Sequence, residues 1–268
     1  MALVNFNLKH PDNIISWSDS PEAGMQWFAL TDGEYWLDVN KAMLYEYTTE
    51  VLAGLPAHES HYVEYAIARL LEDWTGIFES MAEPLPDAFY AISRSNNYLY
   101  RFYEAAQNWF DNSPKDPSMD AAFYYDSYDK AIEWIYSRTL TAMHLTGGPG
   151  ISFFRNRNHI SIVWKADHLT ETHIPVWTAQ NGEVEMDYEK FVHEIEDFGN
   201  RFFQAMDTQI QIVTEREQGA ATLSKEHLIQ EQQERRTGFQ QKLSVLKSTP
   251  ARHTDWDVIN SVITTMFG

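Results

Sequence analysis

Asp167-His168-Leu169-Thr170-Glu171-Thr172-His173 packs two imidazoles and two carboxylates into seven residues. These are the groups that bind zinc and that move protons near neutral pH. The segment reads as a loop between strands, where sites are commonly built. One reading is therefore a metal-dependent hydrolase that uses Asp167, His168, Glu171 and His173. The plainer reading is a solvated connection, because nothing local fixes the four side chains relative to one another. His58-Glu59-Ser60-His61 falls one residue short of the His-Glu-x-x-His spacing that puts both imidazoles on one helix face. It straddles a predicted helix start and reads better as surface residues. Thr146-Gly-Gly-Pro-Gly150 is glycine-rich but lacks the Lys-Ser/Thr of a phosphate loop, and it precedes a strand where such a loop precedes a helix. No Gly-x-Ser-x-Gly elbow, kinase signature or Rossmann glycine pattern occurs. With no Cys, thiol catalysis, disulfide scaffolds and cysteine-ligated zinc are excluded. The sequence implies no cofactor.

A second group of residues suits recognition rather than catalysis. The 268 residues carry 39 acids and 20 bases, for a formal net charge of −19. The charge is uneven: residues 1–150 hold 22 acids and 8 bases, residues 151–268 hold 17 and 12. A strongly negative half repels phosphate backbones and anionic lipid, which argues against direct nucleic-acid or membrane binding. It attracts a basic protein and speeds its capture. Asp32, Glu34, Asp38, Glu72 and Asp73 are the candidate contacts. Arg155 and Arg157, at a predicted hairpin tip, form a small knob for an anionic group or a partner carboxylate. Solubility alone also explains acidity, and an ordinary polar turn explains the arginines.

The elements that must position these residues follow from the pattern. Nine Trp, 14 Tyr and 15 Phe supply ample core. The N-terminal residues lack the basic and apolar regions of a secretory signal, and no apolar run is long enough to span a bilayer, so a cytoplasmic protein is expected. Residues 25–31 and 34–39 read as strands joined by a turn at Asp32-Gly33, with 42–47 as a third strand. Residues 61–78 read as a helix capped by Ser60 and ended by Pro84 and Pro86. A second helix is capped by Asp87 and runs to about residue 110; a third spans about 119–145. Residues 151–155 and 159–164 form a second hairpin, and 174–178 and 183–185 add extended segments. Trp27, Trp36, Trp164 and Trp177 all fall on predicted strands, where aromatics usually serve the core. A long helix is expected from Tyr188 to Glu217, a charged one from Thr222 or Ser224 to about Lys247, and a last one capped by Thr254. The charged helix lies on the surface or along the long one. Strands, helices, strands, helices in that order predict an α+β fold, antiparallel hairpins with a helical body. One compact unit over 1–268 is expected, with possible sub-structure at 1–145 and 151–268.

Pro11-Asp-Asn-Ile-Ile-Ser-Trp17 followed by Met25-Gln-Trp-Phe-Ala-Leu-Thr-Asp-Gly-Glu-Tyr-Trp36 resembles the opening of an uncharacterised bacterial family of unknown function. That opening is a Pro-Trp, then a His-Trp-Phe-Gly-Leu-Thr-Asp-Gly stretch leading to a Tyr-Trp or similar pair. Gln26 and Ala29 depart from it. The resemblance continues through residues 151–155 and 163–164, through Ile174-Pro-Val-Trp-Thr-Ala179 with Gly182, through the helix from Phe191 to Met206, and through Thr254-Asp-Trp256. It implies one compact unit and a bacterial source. It implies no activity and no catalytic residues. The function expected from the charge is an acidic interaction protein, of the immunity or antitoxin type, that neutralises a basic toxin. The alternatives are the hydrolase on the His168/His173 loop and a non-catalytic subunit of a phage-defence assembly docking through the charged helix.

Overall fold

The computed structural model describes residues 2–14, 26–55, 60–112, 120–142, 144–145, 147–216, 225–248 and 254–267. These residues form an α+β fold of helices and two four-stranded antiparallel sheets. In the first sheet, β2 (Asp32–Val39) is central. β1 (Val4–Leu8) pairs along one side, and β3 (Ala42–Leu44) and β4 (Val63–Ala66) share the other. β2 alternates strictly: Gly33, Tyr35, Leu37 and Val39 are buried, while Asp32, Glu34, Trp36 and Asp38 face outward and are half-buried. That is the period of a one-sided strand.

The turn lies elsewhere than Asp32-Gly33. Both residues sit inside β2, and the two-residue turn is Asn40-Lys41, with φ of 52° and 74°, as a type I′ hairpin requires. Gly33 is needed for close approach instead: a Cβ there would lie 2.2 Å from the Asn7 carbonyl oxygen of β1. Residues 29–31 form a short 3₁₀ turn rather than a strand; Met25 lies outside the described residues. Trp27 is buried, and its Nε1 donates to Gln232 Oε1 at 2.8 Å.

The helix expected from His61 begins later. Glu64 and Tyr65 pair with Glu34 and Gly33, so sheet pairing overrides the helical spacing of this stretch. The helix α2 (Ile67–Ala82) follows α1 (Thr49–Ala53). Its first turn is capped from another segment, because the Ala68 N–H donates to Thr31 Oγ1 at 3.3 Å. Ser60 is no cap; its hydroxyl binds Glu34 and accepts from the Tyr62 N–H.

The second sheet runs β5 (Thr139–Leu140), β6 (Gly150–Asn156), β7 (His159–Lys165), β8 (Gly182–Asp187). The expected hairpin is β6–β7, closed at Arg157 with φ 50°. Both of its faces are covered. Ile151, Phe153, Ile160, Ile162 and Trp164 enter the main core with the first sheet and α2, while Phe154 and Val163 enter a second cluster. That second cluster is closed by α3 (Asp87–Ser93), α4 (Asn96–Asn112), α5 (Ala121–Tyr136) and α8 (Trp256–Phe267). The helix expected from Asp87 to about residue 110 is thus two, broken at Arg94-Ser95. The third ends at Tyr136 rather than near 145, because Thr139 and Leu140 pair with Ser152 and Ile151; Met119 lies outside the described residues. The cap of α8 is Asp255, whose Oδ1 accepts from the Val258 N–H at 3.0 Å, not Thr254.

The long helix α6 (Tyr188–Arg216) buries Phe191, Ile195, Phe198, Phe202, Met206, Ile210 and Val213, in the steps of three and four of a single face. α7 (Lys225–Lys247) lies along α6 and α2 and buries Leu228, Gln232, Phe239, Leu243 and Leu246. Glu217, Thr222 and Ser224, at the expected ends of these two helices, lie outside the described residues. Gln232 is tolerated in the core because its amide donates to the Phe203 carbonyl and Asp207 and accepts from Trp27. No described helix is long and apolar enough to cross a membrane.

Candidate partner interface

The outward parity of β2 sets Asp32, Glu34, Trp36 and Asp38 on one sheet face. Cross-strand register brings Glu64 opposite Glu34, Asn7 opposite Glu34 on the other side, and Asn5 opposite Trp36. Trp36 stacks on Tyr62 with ring centroids 4.0 Å apart and planes within 14°. The result is an aromatic pair ringed by carboxylates. Lys9 Nζ reaches Asp32 at 3.2 Å and Glu64 at 3.3 Å. Burial works against the ammonium charge, yet the two carboxylates outweigh it and hold its pKa above the ordinary value. Glu34 accepts from neutral donors, Asn7 Nδ2 at 2.6 Å and the Ser60 hydroxyl. Asp38 Oδ1 accepts from the Lys41 backbone N–H at 2.9 Å and so fixes the hairpin turn. The Tyr62 phenol titrates above its ordinary value through desolvation and then the nearby Glu46 and Glu34.

The other expected contact residues stand apart from this face. Glu72 and Asp73 are on α2, where Glu72 meets Arg69 at 3.5 Å and Arg235 at 3.1 Å. Arg155 turns inward. Its guanidinium lies 3.8 Å from the Tyr188 ring centroid, with Nη1 donating to the Ala82 carbonyl at 2.6 Å. Arg157 is exposed, with Asp87 at 3.4 Å. The hairpin tip therefore braces α2 and α6 more than it projects a knob.

The loop at 167–173 does not gather its ligands. Asp167 accepts from Asn181 Nδ2 at 2.9 Å, and His168 packs over Gly147, where a Cβ would lie 2.1 Å from the imidazole. His173 sits at φ 63°. Among the described residues no group of three or more His, Asp or Glu side chains is placed to hold a metal ion. His58 lies outside them.

A buried polar chain escaped the sequence reading. Tyr35 OH and His144 Nε2 are 2.7 Å apart, His144 stacks on Tyr65 at 4.4 Å, and His144 Nδ1 is 3.6 Å from Asp73 Oδ2. That last separation is too long for a hydrogen bond. His144 Nδ1 and the buried Tyr45 hydroxyl have no partner among the described residues. Burial pushes the His144 pKa down, with Arg69 adding to it, and pushes those of Asp73, Tyr35 and Tyr45 up. Each shift favours the neutral form, so the chain joins the loop at 144 to β2 and α2 without an activated nucleophile. The sequence pattern puts His144 within the third helix, so nothing in it places the residue beside Tyr35. Tyr62 and Glu64, hidden by the helical reading of 61–78, are the residues of the acidic face that the sequence missed. Trp36, expected in the core with the other strand tryptophans, instead faces outward and is half-buried.

No curated protein and no solved structure matches the chain significantly. A family model covers it nearly end to end, in keeping with the motifs at both ends of the sequence. The chain belongs to a family of unknown function, DUF5984, whose model matches residues 3–262.

Proposed function

We propose that this chain is an acidic, cytoplasmic interaction protein that captures a basic protein partner on the outer face of β2, and that the partner is a bacterial toxin it neutralises in the manner of an immunity protein or antitoxin. The observation that carries the reading is the single face holding Asp32, Glu34, Asp38 and Glu64 around the Trp36–Tyr62 stack. An aromatic centre with a charged surround is the arrangement of a binding hot spot. A basic partner is steered to it by the net charge and anchored on the rings.

The metal-dependent hydrolase draws no support from the 167–173 loop, whose side chains do not converge. The charged helix expected to dock an assembly, α7, supplies Leu228, Phe239, Leu243 and Leu246 to the main core and keeps its charged side exposed.

The test is capture from the native host with wild type and with an Asp32→Asn, Glu34→Gln, Asp38→Asn variant, at low and at physiological salt. A basic partner held by wild type, weakened by salt and lost by the variant is the expected result. Co-expression with wild type should then relieve that partner's toxicity, and co-expression with the variant should not. A partner held equally by both proteins, or one without toxicity, would refute the reading.

A further inference from the structure

We infer that the outer edge of β8 takes up an extended segment of the basic partner by strand addition, and that this segment alternates Lys or Arg with apolar residues. The inference rests on the proposed function and names how that partner is held. Among the described residues β8 pairs only with β7, so alternate residues turn their N–H and C=O groups outward along its other edge. Among the described residues no other backbone hydrogen-bonds to that edge between Glu183 and Asp187. The strand presents two chemistries. Glu183, Glu185 and Asp187 are exposed on one face, and Val184 and Met186 are half-buried on the other.

Beside this edge runs a groove of about 510 Å³ between the two sheets. Leu3, Val39, Ile162, Val184 and Met186 make its apolar lining, and Asp38 at its margin joins it to the acidic face. A strand added to β8 lies about 4.8 Å away and puts successive side chains on opposite faces. One set enters the groove. The other lies beside Glu183, Glu185 and Asp187, where cross-strand partners of opposite charge are favoured.

These carboxylates are already oriented. Glu183 accepts from the Asn96 N–H at 3.0 Å, Glu185 from Tyr90 OH at 2.5 Å and Asp187 from the Lys190 N–H at 2.9 Å. Charges on an edge strand commonly serve to block pairing. Here all three share one sign. They repel a second copy of the same edge, which would set like charges opposite each other, and they favour a basic strand. That selects a basic peptide segment over self-association.

The test uses the full chain and two synthetic peptides of one composition, acetyl-Lys-Val-Lys-Val-Lys-Val-Lys-amide and acetyl-Lys-Lys-Lys-Lys-Val-Val-Val-amide. Affinity is read by calorimetry and location by amide hydrogen exchange. The alternating peptide should bind at least about tenfold tighter than the block peptide. It should slow exchange in Glu183–Asp187, and it should lose its advantage in a Glu183→Lys, Asp187→Lys variant whose other amide signals are unchanged. Equal affinity for the two peptides, or protection only outside β8, would overturn the inference. Capture of the host partner that survives the β8 variant but fails in the outer-face variant would overturn strand addition and leave the proposed function standing. Alternating-peptide binding at β8 without any basic host partner would support the edge site and sink the function.

Discussion

Removal of the Glu83 carboxylate should cost this protein more than almost any other single polar change. Glu83 and Arg138 form a salt bridge at 2.9 Å, with side-chain exposures of 9% and 1%. The guanidinium also donates to the Trp134 carbonyl at 2.7 Å and lies 5.5 Å from the Trp256 ring centroid. Glu83 in turn accepts from the Thr254 N–H at 2.8 Å and its hydroxyl at 2.5 Å. One carboxylate thus ties the end of α2 to the end of α5 and to the entry of α8. Glu83→Ala leaves a buried cation without its counter-charge, which costs about 3–5 kcal/mol. Total stability is of order 5–15 kcal/mol, so the variant should be severely destabilised. Glu83→Gln keeps acceptors but not the charge and should cost less. Glu83→Leu with Arg138→Met removes both charges and should recover much of the loss. Urea unfolding of wild type, Glu83→Leu, Arg138→Met and the double variant measures the coupling directly. Amide exchange should show α8 loosening first. A Glu83→Ala variant within about 1 kcal/mol of wild type would refute the reasoning, as would a double variant no better than the sum of its parts.

Gly33→Ala should destabilise by about 1–3 kcal/mol, since the new methyl would meet the Asn7 carbonyl at 2.2 Å. The opposite sign is expected for Gly76→Ala, in the exposed interior of α2 with nothing within 4 Å, which should gain about 0.5–1 kcal/mol; unfolding midpoints decide both. Because burial holds the His144 pKa below the ordinary 6.5, the unfolded chain binds the proton first as pH falls. Stability should therefore drop as pH descends through 6.5 toward the folded value, and His144→Gln should flatten that slope in unfolding measured from pH 7.5 to about 5. Asp73 titrates in the opposite sense: its raised pKa stabilises the fold fully below 3.8 and loses that contribution as pH rises through the folded value.

Periodicity located most elements of this fold, and partner segments decided where it misled. The Phe191-to-Val213 stripe was read correctly because a long helix with one apolar face satisfies its backbone within itself. The β6–β7 hairpin was also legible, though not that both its faces would be covered, since that depends on α3, α4, α5 and α8 arriving from distant sequence. Asp32-Gly33 looked like a turn because glycine's usual service there is conformational, whereas Gly33 serves the approach of β1. His61–Ala66 looked helical because Tyr62, Tyr65 and Ala66 have helical spacing. Only the presence of β2 as a neighbour makes the stretch a strand. That one error also hid Tyr62 and Glu64 from the acidic face. The loop at 167–173 shows the converse: suitable residue types in close succession, scattered by the backbone that carries them.

The acidity itself becomes informative once each carboxylate is matched to its neighbour. Two bases of α7 stand opposite acids of the first half: Arg235 meets Glu72 at 3.1 Å and Lys242 meets Glu79 at 3.7 Å, both across the α2–α7 contact. Glu72 and Glu79 therefore belong to the packing of the helical body, and their pairs, partly exposed, contribute at most about 1 kcal/mol each. On the outer face of β2 the balance differs. Lys9 serves Asp32 and Glu64 together, while Glu34 and Asp38 are held by an amide, a hydroxyl and a backbone N–H. Neutral donors orient a carboxylate without cancelling its charge. The charge of this face is thus left largely uncancelled, and the adjoining β8 edge repeats the arrangement with Tyr90 OH and the N–H groups of Asn96 and Lys190. Asp38 and Asp187 also serve the fold itself, closing the β2–β3 turn and the first turn of α6. The capture of a basic chain proposed above would use both surfaces, since their carboxylates are fixed mainly by neutral donors.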